Sequence, residues 1–240
     1  MAVRERVVAV QVGDTACEGL LTCGDGSDAP KPGILVCHTI RGRTDFEDDR
    51  ARALAGMGYA ALTADLYGLD SRGSDIDTLR DLMNDLRGDR RELQQRLLTW
   101  FDCLRGIPEI DAARTAAIGF CFGGLCVLDL ARSGAEVAGV VSFHGIFEPP
   151  PFAGDRPINA KVLALHGWDD PLATPEQAVA LARELTAAGA DWQIHAYGNT
   201  LHAFTNPAAN DPEAGTVYNA NADRRSWTAM QNFFAELFGE

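Results

Sequence analysis

The run Gly119-Phe120-Cys121-Phe122-Gly123-Gly124 constrains this chain more than any other stretch. It lies between an apolar segment, 115–120, that reads as a strand and a segment carrying Leu125, Leu128 and Ala131 at helical steps. A reactive side chain between glycines, at a strand-to-helix junction, is the layout of a nucleophile elbow. Glycines two residues before and after the apex let the chain turn tightly without side chains colliding. The apex here is the thiol of Cys121, which makes it a candidate nucleophile and the chain a candidate hydrolase. The competing reading is a buried core thiol beside a glycine-eased packing contact.

Around this junction, strand and helix patterns alternate. Residues 7–10 and 17–23 read as an opening hairpin turned at Gly13-Asp14. Residues 33–37 form a short apolar run, as expected of a strand covered on both faces. A helix follows, with Asp45 as the expected N-cap, Phe46, Ala53, Leu54 and Met57 facing inward, and Gly58 ending it. Strand 59–64 precedes two helices in series, marked by Leu79, Met83 and Leu86 and then by Leu93, Leu97, Phe101 and Leu104, with Gly88 at the break. Beyond the elbow come strands 137–143 and 162–166. A helix opened by Thr174, Pro175 and Gln177 follows, then strand 192–197 and a last helix marked by Trp227, Met230, Phe234 and Leu237. Such alternation predicts an α/β fold with a mostly parallel central sheet and helices on both faces. Ligands then bind beyond the carboxyl ends of the strands.

At 240 residues, with no Pro/Ser/Gly linker, one domain is expected over 1–240. Residues 198–218, rich in Asn, Pro and Gly, read as a lid-like loop. The charged, alternating start 1–6 lacks the apolar core of a signal peptide, and no apolar run approaches the ~20 residues of a membrane helix. Six cysteines without a Cys-x-x-Cys pair suit a reducing, cytoplasmic location. A net charge of −13 argues against nucleic acid or anionic membrane as a partner.

A nucleophile of this kind needs a base and an acid, which in α/β-hydrolases follow it in the order acid, then histidine. Of the five histidines, His38 and His144 precede the expected acid position, and His166 ends the strand before it. His195 lies within a strand, which leaves His202, in the loop after the last strand, as the base. The acid is expected after strand 162–166, where Asp169 and Asp170 compete; Asp170, before Pro171, suits a loop position and is preferred.

Three blocks, Gly-Phe-Cys-Phe-Gly-Gly at 119–124, His-Gly-Trp-Asp-Asp-Pro at 166–171 and Leu-His-Ala-Phe at 201–204, resemble those of the dienelactone hydrolase family. The resemblance extends from about Gly33 to the C-terminus. It implies an α/β-hydrolase fold with Cys121 as nucleophile, His202 as base and Asp170 as orienter. It also implies an oxyanion hole made by the backbone N–H groups of Ile40 and Phe122. Two positions depart from the family pattern. Thr39 stands where enol-lactone hydrolases have Glu, and Asn206 stands where they carry a substrate-gripping Arg. Arg41 and Arg43 are the nearest candidates for a replacement cation, against the plainer reading of solvated surface arginines.

The expected activity is hydrolysis of small carboxylic esters or lactones through a covalent thioester, with no metal and no organic cofactor. Thr39, Arg41, Trp168 and Phe204 are the expected substrate-binding residues, within an aromatic surround that includes Phe120, Phe122 and Tyr67. The expected partner is a small molecule, and the chain is expected to be a monomer or small homo-oligomer. A thioesterase or acyltransferase would use the same triad. A ligand-binding protein that kept the fold, or a metal hydrolase built on His38, His166, Asp169 and His202, are the other readings.

Overall fold

The computed structural model describes residues 3–25, 29–154 and 156–239; the first two residues of the expected charged start lie outside them. Two compact units divide the chain, Met1–Ile118 and Gly119–Glu240, and the boundary falls inside a strand. Among the described residues, eight strands make up a mostly parallel sheet with helices, the expected α/β class.

In the first unit, β1 (Val3–Val12) and β2 (Thr15–Gly24) form the opening hairpin, paired antiparallel from Val3↔Gly24 to Val12↔Thr15. The turn falls on Gly13-Asp14, with Gly13 at φ 54°. β2 pairs antiparallel with β4 (Ala60–Ala64), and β4 pairs in parallel with β3 (Lys31–Cys37). β3 and β4 are buried along nearly their whole length, as their unbroken apolar sequence predicts. Helices α1 (Asp45–Gly56), α2 (Ile76–Gly88) and α3 (Arg90–Arg105) follow, and β5 (Ile110–Phe120) crosses the unit boundary. Trp100 and Phe101 of α3 are fully buried, and Trp100 Nε1–H donates to Asp65 O at 2.9 Å.

The start of α1 corrects the sequence reading. Its N-cap is Thr44, not Asp45, because Glu47 reaches back in a capping box. Glu47 Oε2 accepts from Thr44 N–H at 2.9 Å and from Thr44 Oγ1 at 2.7 Å, while Oε1 accepts from Thr39 N–H at 3.1 Å. The inward face is Glu47, Asp48, Ala51, Leu54 and Ala55; Phe46 and Met57 are half-buried and Ala53 is exposed. The carboxylates turn inward because each has partners there. Asp48 takes two guanidinium bonds from Arg43, at 2.9 and 2.8 Å, and the Thr63 hydroxyl at 3.0 Å.

In the second unit, α4 (Phe122–Arg132) leads to β6 (Gly139–Phe143), β7 (Lys161–Gly167), α5 (Pro175–Ala187) and β8 (Trp192–Tyr197). β6, β7 and β8 pair in parallel. The capping box of α5 forms, with Thr174 N–H donating to Gln177 Oε1 at 2.9 Å. The segment expected as a lid-like loop contains a small hairpin, β9 (Asn210–Asp211) with β10 (Thr216–Val217), before α6 (Ala220–Phe238). Backbone bonds that cross-link it include His202 N–H to Gly215 O at 2.9 Å, Val217 N–H to His202 O at 3.0 Å and Asn219 N–H to Phe204 O at 3.1 Å.

Among the described residues the cysteines are free thiols. Among the described residues no helix is long and apolar enough to cross a membrane.

Candidate active site

Cys121 is the single residue between the end of β5 and the start of α4. Its backbone sits at φ 56° and ψ −115°, a conformation that costs a residue with a side chain about 1–3 kcal/mol. Close approach enforces it. A Cβ on Gly119 would stand 2.0 Å from Gly123 O, and one on Gly124 would stand 2.5 Å from Gly145 Cα. Only glycine fits at either place, so strand and helix meet at a sharp angle with Cys121 at the apex. Phe120 and Phe122 are fully buried, whereas Cys121 is partly exposed. The sulfur therefore sits at the positive end of α4, where a negative charge is favoured. Cys121 N–H donates to Phe143 O at 3.0 Å and to His144 Nδ1 at 3.1 Å.

Asp170 and His202 come together across 32 residues of sequence: His202 Nδ1 lies 2.7 Å from Asp170 Oδ2, and both are buried. The carboxylate is itself held. Its Oδ1 accepts from Leu172 N–H at 2.8 Å and Ala173 N–H at 3.3 Å, since Pro171 has no N–H to offer. With Nδ1 committed to Asp170, only the other ring nitrogen, Nε2, is left for a further partner. Burial alone would lower the imidazole pKa. The nearby Cys121 charge and the Asp170 hydrogen bond outweigh it, together with hydrogen bonding to the sulfur, and raise the pKa to about 10. The arrangement can therefore hold a proton on the ring while the sulfur carries negative charge.

Asp169, the rival carboxylate, instead accepts Thr200 N–H on Oδ2 at 3.1 Å. Trp168 is 44% exposed, so it is available to a ligand. Phe204 is fully buried, edge-on to His144 at 5.1 Å and to Tyr197 at 5.6 Å. His166 is buried, with neither ring nitrogen hydrogen-bonded among the described residues, and burial lowers its pKa. In the first unit, Ile40 and Arg41 form a turn after β3, with Gly42 N–H donating to Thr39 O at 3.3 Å. Arg41 is exposed and lines a cleft of about 380 Å³ with Arg43, Arg72 and Asp65. Arg43 is no spare cation, being locked on Asp48. His38 commits both ring nitrogens, Nδ1–H to Thr39 O at 2.6 Å and Nε2 accepting from Leu66 N–H at 3.0 Å. No cluster of three or more His, Cys, Asp or Glu placed to hold a metal occurs among the described residues.

His144 escaped the sequence reading, which set it aside because it precedes the acid. It is fully buried, and its Nε2 lies 2.8 Å from Thr205 Oγ1. Its strand-end position before Gly145 was the only signal, and a weak one.

A family model described as the dienelactone hydrolase family matches residues 18–238. The carboxymethylenebutenolidase of Pseudomonas putida is 24% identical over 236 residues, 92% of this chain and 95% of that protein. A solved structure named m3DLH is 42% identical with a TM-score of 0.92, covering 99% of both chains. A dienelactone hydrolase-like promiscuous phosphotriesterase from metagenomic libraries is 40% identical with a TM-score of 0.92, again over 99% of both chains. With that match spanning both units, the chain belongs to the dienelactone hydrolase family and is an ester or lactone hydrolase of the α/β-hydrolase fold.

Proposed function

We propose that this chain hydrolyses small carboxylic esters or lactones through Cys121, His202 and Asp170. The Cys121 thiolate adds to the substrate carbonyl carbon, and the carbonyl electron pair moves onto oxygen. That oxyanion is stabilised by Phe122 N–H at the head of α4 and, from the sequence resemblance, by Ile40 N–H. Removing one such donor costs about 10²–10³ in rate. The tetrahedral adduct collapses with cleavage of the C–O bond, and the proton on His202 leaves with the alkoxide, giving the alcohol and a thioester on Cys121. Water then adds to the thioester, with His202 taking its proton. The C–S bond breaks, the acid departs and the thiolate–imidazolium pair is restored. Asp170 keeps the proton on His202 Nδ1 and steadies the imidazolium throughout. No metal or organic cofactor takes part in these steps.

The observation that carries this reading is the 2.7 Å Asp170–His202 contact in the same unit as Cys121, which caps the start of α4. Hydrolysis of p-nitrophenyl butyrate should fall by about 10³ or more in Cys121→Ala and nearly as far in His202→Ala. Intact-mass measurement on mixing should catch an acylated protein in the native chain and none in Cys121→Ala. Retention of a tenth or more of the rate by either variant would overturn the assignment.

A second reading is favoured by the phosphotriesterase likeness. The same thiolate can attack phosphorus in a phosphotriester, expelling a phenolate and leaving an S-phosphoryl group on Cys121. Release of p-nitrophenol from paraoxon beyond one equivalent per chain supports turnover. A single equivalent marks the compound as an inactivator only.

A further inference from the structure

The buried imidazole of His144 stands between the two halves of the proposed machinery. Cys121 N–H donates to its Nδ1 at 3.1 Å, so that nitrogen carries the lone pair. The ring proton is therefore on Nε2, 2.8 Å from the hydroxyl oxygen of Thr205, which accepts it. Thr205 is three residues after His202 in the same loop. The His144 ring also packs edge-on to the His202 ring, with centroids 5.1 Å apart and planes at 68°. Phe204 closes on it at 5.1 Å and 81°. His144 is anchored at its own backbone, where φ is 36° and its N–H donates to Leu165 O at 2.8 Å.

We propose that His144, with Thr205, is a positioning pair that sets the distance and angle between the Cys121 sulfur and the His202 imidazole. One end of the ring fixes the peptide plane entering Cys121, whose φ of 56° leaves the Cβ direction sensitive to that plane. The other end fixes the loop that delivers His202. A neutral imidazole protonated on Nε2 is the form that satisfies both ends. The reacting sulfur and substrate are not touched by His144. This inference rests on the Cys121–His202 reading above and adds a residue pair that the reaction scheme does not require.

The test uses Thr205→Val, Thr205→Ser, His144→Phe and His144→Asn in the full chain, beside Cys121→Ala. Three measurements are made on each: thermal melting, kcat and KM for p-nitrophenyl butyrate, and the pH dependence of Cys121 alkylation by iodoacetamide. A reacting geometry displaced by about 1 Å costs on the order of 100-fold. Thr205→Val should lower kcat by at least about tenfold with KM little changed, and its alkylation profile should shift toward that of an isolated thiol. Thr205→Ser, which returns the hydroxyl, should recover both. His144→Phe should lower kcat further, and His144→Asn, which can keep an acceptor for Cys121 N–H, should fall between. Should the two histidine variants not fold, the Thr205 pair decides alone. Wild-type kcat and an unshifted alkylation profile in Thr205→Val overturn the proposal, as does a kcat loss that follows melting temperature alone. If Cys121→Ala is inactive in that case, only the positioning role falls; if Cys121→Ala is active, the triad reading falls with it.

Discussion

Replacing Asp170 by Asn tests the acid by changing one atom. The Leu172 and Ala173 N–H groups both point at Oδ1, at 2.8 and 3.3 Å, so the amide oxygen stays with them. The NH₂ group then occupies the Oδ2 position, 2.7 Å from His202 Nδ1. A donor now faces a donor unless the imidazole moves its proton to Nε2, the nitrogen that serves the sulfur in the proposed triad. The same substitution in serine triads costs about 10⁴ in kcat, or about 5.5 kcal/mol, by trapping the wrong tautomer. A thiol depends less on its base, because its pKa starts near 8.5 rather than far above neutrality. The expected loss here is thus about 10²–10³ in kcat, or about 3–4 kcal/mol. Asp169→Asn makes the control. Its side chain accepts Thr200 N–H, and an amide oxygen accepts it equally well. Its kcat should stay within about threefold of wild type. Steady-state hydrolysis of p-nitrophenyl butyrate by both variants, with circular dichroism to check folding, reads the comparison. A folded Asp170→Asn with near-native kcat, or Asp169→Asn as the worse variant, refutes the argument.

Three further outcomes are expected. The raised His202 pKa adds stability that is fully present below its unfolded value of about 6.5 and is lost as pH rises through about 10. Urea unfolding should therefore show stability falling across that window, and less steeply in Cys121→Ala; identical slopes would deny the coupling. Gly119→Ala places a methyl 2.0 Å from Gly123 O and should cost about 3 kcal/mol with loss of activity, so a native-like melt and rate would show that the elbow tolerates a side chain. Glu47→Gln turns an acceptor serving the Thr39 or Thr44 N–H into a donor inside the first unit. It should cost about 1.5–3 kcal/mol in chemical denaturation, and a change below about 0.5 kcal/mol would mean the buried charge is dispensable.

The features legible from sequence are those fixed within a few residues. The hairpin turn at Gly13-Asp14, strand β8, the α5 capping box and the glycine-flanked thiol each depend on local sterics or local hydrogen bonds, so their residue types announce them. Asp170 was legible for a similar reason: Pro171 shapes the turn that places its carboxylate, and its missing N–H leaves Oδ1 to the next two donors. What stayed hidden is where buried polar groups find partners. Apolar periodicity assigns every carboxylate to water, and so it turned α1 the wrong way; Glu47 and Asp48 point inward because Thr39, Thr44, Arg43 and Thr63 meet them there. His144 is the same case at longer range. Its partner Thr205 is 61 residues away, and no spacing rule links them. A buried polar side chain is tolerated only when its partners are built in, and those partners come from the tertiary fold. Local chemistry thus marks the candidate reacting groups, whereas their buried neighbours become visible only when each buried donor and acceptor is followed to its partner. In this chain that trail runs from Cys121 N–H through His144 to Thr205, and it returns to the loop that carries His202.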